Sequence, residues 1–270
     1  MINGETSIYG ILGCPVRSSL SPKMHNAAFA YHKLNSVYVP LLVESGGQNS
    51  IIKAFNTLNI KGANITVPYK SSLFEQLDSI DPYAKKINSI NTLIKTNQGW
   101  AGFSTDGVGF IQALTELKID IANTSFLMIG AGGAGKAIAF ALCEAGAQRL
   151  YIKNRTTSKA DELIDNLRGN SWLVDRYSPT NNNFQVLINT TSVGMDATSL
   201  SADDEMIRKA KVVIDIIYSP EMTPLLVKAK AAGKIIQNGL PMLINQARES
   251  FYIWTGKMIS SEVLRKAILH

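Results

Sequence analysis

Phe126-Leu127-Met128-Ile129-Gly130-Ala131-Gly132-Gly133-Ala134-Gly135 decides how the rest of the chain is read. Its four apolar residues predict a buried strand, and Gly130, Gly132 and Gly135 then follow at the G-x-G-x-x-G spacing. The alanine-rich stretch Ala137 to Ala145 predicts a helix directly after the turn. Strand, glycine turn and helix in this order predict a dinucleotide site, whereas the glycine string alone would predict only a turn. The glycines allow a tight bend and let a pyrophosphate approach the backbone, where the helix N-terminus favours negative charge.

Downstream, strands and helices alternate strictly. Strands are predicted at Ser125–Ile129, Leu150–Lys153, Gln185–Asn189, Val212–Ile216 and Lys234–Gln237, which together predict a doubly wound parallel sheet of Rossmann type. The end of the second strand selects the cofactor. An NAD site places Asp or Glu there for the ribose hydroxyls, but this chain has Asn154-Arg155-Thr156-Thr157-Ser158-Lys159. Arg155 and Lys159 suit a 2′-phosphate, and the Thr156 hydroxyl can donate to it, so NADP is the expected cofactor. The bland alternative is a solvated basic loop.

Upstream of about residue 104 the pattern is different. Strands are predicted at Ile8–Gly13, Val37–Val43 and Gly62–Val67, the last stopped by Pro68. Ser21-Pro22 predicts a helix start with Ser21 as N-cap, and Met24, Ala27, Ala28 and Tyr31 predict its buried face. Ile51–Leu58 predicts a second helix and Asp81-Pro82 opens a third. Asn91–Lys95 and Trp100–Phe103 flank Asn97-Gln98-Gly99, a hairpin signal. Phe110, Ile111, Leu114 and Leu117 predict the next helix, and the tail from Leu243 is helical with Leu243, Ala247, Ser250 and Phe251 on one face. The expected domains are 1–103 for substrate, 104–240 for the cofactor, and 241–270 as helices returning to the first domain.

Several polar groups fall at element ends. The hydroxyls of Ser18-Ser19-Leu20-Ser21 precede a helix N-terminus, where a carboxylate is favoured, although plain capping also explains one of them. Asn64 and Thr66 share a strand face, and Lys70 lies just past the C-terminal end of that strand, where open α/β sheets bind ligands. A lone lysine is otherwise a surface charge. Asp106 fits an N-cap as well as a site. Asn91 lies at the start of the hairpin.

Composition bounds the function. The chain has 270 residues, enough for two modest domains, with 46% hydrophobic and 18% charged residues, which excludes a disordered chain. Its net charge of +6 includes no run of five like charges, so small anions are expected as partners rather than nucleic acid. Cys14 and Cys143 form no disulfide framework, residues 1–6 lack a signal pattern, and no apolar run reaches membrane length. A cytoplasmic protein without a membrane partner is expected. His25 and His32 read as ordinary helix residues, and no metal site is predicted. Cys14 reads as a buried thiol, and Phe251, Tyr252 and Trp254 as core.

These strings together resemble the shikimate dehydrogenase family, from about Tyr9 to the C-terminal helices. The resemblance rests on Ser19–Ser21 with Pro22, Met24, His25 and Asn26, on Gly62–Lys70, on Asn91-Thr92 and on Thr105-Asp106-Gly107. It continues through Gly130–Gly135, Asn154-Arg155-Thr156, Asn189–Met195, Asp215 with Tyr218, Gly239-Leu240, Met242-Leu243 and Gln246. It implies two α/β domains with the cofactor in the cleft, and reversible NADPH-dependent reduction of 3-dehydroshikimate to shikimate. It further implies Lys70 and Asp106 as the catalytic pair, and Ser19 and Ser21 on the substrate carboxylate with Tyr218 nearby. Thr66, Asn91, Asp106 and Gln246 would hold ring hydroxyls. Gly130, Gly132, Gly133, Ala134, Gly135, Asn154, Arg155, Thr156, Lys159, Thr191 and Gly239 would line the cofactor, Gly239 near the nicotinamide. The expected assembly is a monomer or homodimer. Rival readings are a quinate/shikimate enzyme using NAD, a folate-linked dehydrogenase and a non-catalytic regulatory homologue. The chain departs from the family pattern at Ser18, where His is common, at Ser104, usually Asn, and at Asn88-Ser89, usually Gly-Ala.

Overall fold

The structure, a computed structural model, describes residues 2–44, 46–180 and 182–269. It divides into two compact units, Met1–Gly109 with Ile244–His270, and Phe110–Leu243.

The first unit begins with β1 (Ser7–Gly13), α1 (Ser21–Tyr31), β2 (Ser36–Leu42), α2 (Ile51–Thr57) and β3 (Ile60–Ile65). It continues through β4 (Ser79–Ile80), α3 (Pro82–Ile87), β5 (Thr92–Thr96), β6 (Gly99–Phe103) and the start of α4 (Asp106–Glu116). The strands form one mixed sheet in the order β2-β1-β3-β5-β6-β4. β1 lies parallel to β2 and β3, while β5 and β6 are the expected antiparallel hairpin. Asp81 caps α3 by accepting from the Tyr83 and Ala84 amides, the role its place before Pro82 predicts.

Two expectations for α1 are corrected. Ser21 is the first helical residue and not the cap, which is Leu20 without a side-chain hydrogen bond. The buried face is Ser21, Met24, His25, Ala28 and Phe29, and Tyr31 is exposed. The stripe is rotated because it meets an aromatic cluster. Tyr9 packs on Phe29 and on Trp254 at 5.1 and 5.2 Å, and His25 stacks on Tyr38 at 4.5 Å. A histidine counts as polar in a periodicity, but here its ring behaves as one more aromatic. Gly62 leaves the space that the Trp254 indole fills, and the indole N–H donates to the Leu93 carbonyl at 2.9 Å.

The second unit carries β7 (Ser125–Ile129), α5 (Gly133–Glu144), β8 (Arg149–Lys153), α6 (Thr157–Arg168) and β9 (Val174–Arg176). Then follow β10 (Val186–Asn189), α7 (Asp204–Lys209), β11 (Val212–Asp215), α8 (Pro224–Ala231) and β12 (Ile235–Gln237). The sheet order is β12-β11-β10-β7-β8-β9 with every neighbour parallel, so strand order reverses between β7 and β10. Open sheets bind ligands at such a reversal. β9 is the strand of this unit that the sequence does not announce, since its three residues Val174-Asp175-Arg176 hold a single apolar side chain, whereas the equally short β12 opens with Ile235-Ile236. The chain closes with α9 (Leu240–Thr255) and α10 (Ser261–Leu269), and residues from Ile244 on belong to the first unit. Ala247, Ser250 and Phe251 of α9 are fully buried, as their shared face predicts, but Leu243 is half-buried, and Tyr252, expected in the core, is exposed because it lies on the opposite side of the helix. Among the described residues no helix is long and apolar enough to cross a membrane.

His25 links this packing to pH. Neither ring nitrogen has a hydrogen-bond partner, and burial pulls the imidazole from 6.5 down to about 3, against a smaller opposing effect of the nearby Asn64 side chain. The unfolded chain therefore takes up a proton near pH 6.5 that the folded unit refuses until about 3. Stability from this group is complete above 6.5 and is lost as pH falls through that window, by up to about 1.4 kcal/mol per pH unit. Urea midpoints measured against pH should show the acid arm in the parent and a flatter one in His25→Phe. Equal slopes would count against it.

Candidate active site

Just past β3, a single 3-10 turn at Tyr69–Ser71 presents Lys70, whose backbone carbonyl accepts from the Ile90 amide at 2.9 Å. The Lys70 ammonium donates to Asp106 Oδ2. The other carboxylate oxygen accepts from Asn91 Nδ2 at 2.8 Å. Asp106 is the first residue of α4, so the helix N-terminus adds a further favourable field. Its carboxylate therefore serves as an ion-pair partner and not as the N-cap that the sequence also allowed. The side chains keep 17% and 8% exposure, enough to leave the ammonium reachable while the carboxylate is largely dry.

A buried polar web holds this pair. Asn91 Oδ1 accepts from the Thr105 amide at 2.8 Å and from the Thr92 hydroxyl at 3.1 Å. Gln246 Oε1 of α9 accepts from Asn91 Nδ2 and from the Thr105 hydroxyl, both at 3.4 Å. Ser250, one turn later, meets the Thr92 hydroxyl at 2.8 Å and accepts from Asn64 Nδ2 at 2.9 Å. The Tyr38 hydroxyl donates to Asn64 Oδ1 at 2.7 Å and so extends the web to β2. Gly109 permits α4 to approach α9, because a side chain there would come within 2.7 Å of the Gln246 amide nitrogen. Thr92, Thr105, Ser250 and Tyr38 escape a candidate search from sequence. The available signals were Ser250, a polar residue on an apolar helix face, and the place of Thr92 and Thr105 within strings that carry the resemblance.

In the serine loop, Ser19 Oγ accepts from the Ser21 amide at 3.2 Å, and Ser21 is buried. Thr66 is half-buried one residue past β3, and Gly13 lies against it so closely that a side chain there would collide. Cys14 is exposed, not buried as expected. Tyr218 lies in the second unit, half-buried, three residues past the end of β11.

In the second unit the glycine turn fits a dinucleotide. Gly130 has φ +117°, and a side chain on it would collide with the Thr190 hydroxyl. A Cβ on Gly135 would approach the Gly130 carbonyl to 2.7 Å, while the space at Gly132 is open. Gly133, Ala134 and Gly135 form the first turn of the twelve-residue α5, whose N-cap Gly132 offers no side-chain cap to compete with a phosphate. Asn154 Oδ1 accepts from the Ala131 amide at 3.2 Å, joining the glycine turn to the segment that selects the cofactor. Arg155, Thr156 and Lys159 are exposed there, and no carboxylate among the described residues is paired with Arg155 or Lys159. The Thr156 hydroxyl occupies the N-cap position of α6 without making a cap bond. Thr191 is held by Asn189, whose Oδ1 accepts from its amide and hydroxyl at 3.1 and 2.7 Å. Gly239 donates to the Ile217 carbonyl at 2.9 Å, at a position where a side chain would strike the Ile216 backbone.

Residues 11–93 match the shikimate dehydrogenase substrate binding domain, residues 112–218 the shikimate / quinate 5-dehydrogenase family, and residues 239–269 the shikimate 5′-dehydrogenase C-terminal domain. The chain is 40% identical to a shikimate dehydrogenase (NADP(+)) of Pyrococcus furiosus, covering 100% of this chain and 97% of that one. It is 38% identical to one of Caldanaerobacter subterraneus subsp. tengcongensis, over 99% and 98%. Among solved structures, shikimate dehydrogenase of Aquifex aeolicus superposes with a TM-score of 0.92 at 36% identity over the whole of both chains. Shikimate 5-dehydrogenase of Thermus thermophilus in complex with NADP(H) and shikimate superposes at 0.89, with 32% identity over 97% and 98%.

Of the departures beside the site, Ser18 is exposed in the serine loop, and nothing in the structure explains it. Asn88 ends α3 in the left-handed region at φ 51°, a conformation Gly adopts freely and Asn tolerates. Ser89 and Ser104 are buried with hydroxyls that have no hydrogen-bond partner. An orphaned buried hydroxyl costs about 1–3 kcal/mol. Ser89→Ala should therefore raise stability by about 1 kcal/mol in thermal unfolding and leave turnover unchanged. A lower melting temperature would show that Ser89 has a partner in solution.

Proposed function

The chain belongs to the shikimate dehydrogenase family, and we propose that it reversibly reduces 3-dehydroshikimate to shikimate with NADPH, on the route to chorismate and the aromatic amino acids. The observation that carries this reading is the ion pair of Lys70 with Asp106, whose second oxygen is occupied by Asn91. Bound NADPH supplies the hydride. The Lys70 ammonium hydrogen-bonds the substrate carbonyl oxygen, stabilises negative charge as it develops, and delivers the proton. Asp106 keeps that ammonium aimed. In the oxidative direction the same pair takes the hydroxyl proton.

Ser19 and Ser21 hold the substrate carboxylate, with Tyr218 close to it, while Thr66, Asn91, Asp106 and Gln246 bind ring hydroxyls. The web around Asn91 supports this assignment, because a group already fixed by three neighbours loses little entropy on binding. In the second unit the turn Gly130, Gly132, Gly133, Ala134 and Gly135 takes the pyrophosphate. Arg155, Thr156 and Lys159 take the 2′-phosphate, and Asn154, Thr191 and Gly239 complete the cofactor's surroundings. Residues 1–103 and 241–270 serve the substrate and 104–240 the cofactor. Two cysteines without a disulfide suit a reducing cytoplasm, where the protein works as a monomer or homodimer.

The test is nicotinamide absorbance with shikimate and NADP+, with quinate and NAD+ as comparison arms. Faster turnover of quinate with NAD+ would replace this reading. Lys70→Ala should cut kcat by about 10²–10⁴ while the Kd for NADP+ stays near the parent value. Asp106→Asn should be comparably severe. If the two act as one unit, the double variant should be little worse than either single one. Additive losses would mean two independent contacts.

Arg155→Ala tests the cofactor choice. Removing a charged hydrogen-bond partner of the 2′-phosphate should raise the KM for NADP+ about ten- to a hundredfold and leave that for NAD+ nearly unchanged. Equal losses for both cofactors would count against the assignment.

A further inference from the structure

Asp215 is a buried ionisable group for which the proposed mechanism has no use. It ends β11, is 0% exposed, and no basic side chain among the described residues pairs with it. Burial holds its carboxyl above the ordinary carboxylate value, and only neutral donors oppose that effect. A carboxylate in such a place costs free energy unless its acceptors are well used.

Here both oxygens are engaged. Oδ1 accepts from Asn189 Nδ2 and from the Ile217 amide, both at 3.1 Å. Oδ2 accepts from the Thr223 hydroxyl at 2.7 Å. Two of the three donors lead on to residues proposed for the cofactor. Asn189 ends β10 and fixes Thr191, and the Thr190-Thr191 segment packs directly on Gly130 of the glycine turn. Ile217 accepts in turn from the Gly239 amide. Thr223 is the N-cap of α8 and accepts from the Leu226 amide at 3.4 Å. One carboxyl group thus joins the C-terminal ends of the parallel strands β10 and β11, and β10 is one of the two strands between which the order reverses.

We propose that Asp215 is a positioning residue for the nicotinamide end of the cofactor, acting through Asn189 and Ile217 by the placement of its acceptor oxygens and not by its charge. The inference rests on the NADP reading above. Asparagine can keep the arrangement, since its oxygen still accepts from Asn189 and Ile217, and its NH2 can donate to the Thr223 hydroxyl. Alanine removes all three contacts.

The experiment compares Asp215→Asn and Asp215→Ala in the full chain. Three readouts are taken: turnover with shikimate, the Kd for 2′,5′-ADP (which lacks the nicotinamide), and amide hydrogen exchange at Thr191 and Gly239 without ligand. Asp215→Ala should lose about 10–100-fold in kcat, the scale expected for a misplaced reacting group, with the 2′,5′-ADP Kd unchanged and both amides exchanging faster. Asp215→Asn should recover most of that loss and keep the slow exchange. An asparagine variant as impaired as the alanine one would assign the effect to charge and overturn the proposal. So would parent-like turnover in Asp215→Ala, or loss of 2′,5′-ADP binding, which would mean general support of the unit. If the parent itself turns over no shikimate, the proposed function falls, and the exchange rates alone still decide whether Asp215 orders the two segments.

Discussion

Within the first unit, much of the arrangement answers to the needs of a carboxylate that has little water around it. Asp106 must be compensated where it lies, and its partners come from Lys70 beyond β3, Asn91 ahead of β5 and the N-terminus of α4. Removing charges from water is expensive, so such a pair does little for stability and much for geometry. The secondary ties to Thr105, Gln246, Ser250, Asn64 and Tyr38 follow from the same demand, because every polar atom brought in to serve the pair must itself be served.

The second unit solves a related problem differently. Asp215 is drier than Asp106, yet it is met only by an amide side chain, a backbone N–H and a hydroxyl. A carboxylate beside an ammonium suits proton movement, since the neighbour can gain or lose a proton. One enclosed by neutral donors suits holding still. The two carboxyl groups show why residue type alone does not announce a role.

What could be read from the sequence follows the range of the interactions. Gly130 to Gly135 is local: three glycines, a strand before and a helix after lie within about twenty residues, so turn chemistry and periodicity suffice. The all-parallel order of the second sheet was accessible for the same reason, apart from the short β9. The buried face of α1 was misjudged because His25 packs as an aromatic ring, a fact set by Trp254 and Tyr38 from elsewhere in the chain. The site was visible at its ends, as Lys70, Asp106 and the serines stand at element boundaries. Its supporting web was not, because Asn64 to Ser250 and Thr92 to Ser250 span 186 and 158 residues, and no local pattern carries such a pairing.

The first unit is discontinuous, with Trp254, Ser250 and Gln246 supplied by α9 after the whole second unit. On the ribosome, where synthesis proceeds at about 5–20 residues per second, the second unit is complete in chain before the first can close. During those seconds Tyr9, His25 and Tyr38 lack the indole that packs on them, and Asn64 and Thr92 lack Ser250. The nascent protein thus passes through a stage in which its N-terminal segment carries an open apolar face while the second unit is already complete in chain. That interval is where a chaperone would find its substrate, and where truncation near the C-terminus would leave a chain that has made most of its sequence and only half of its fold.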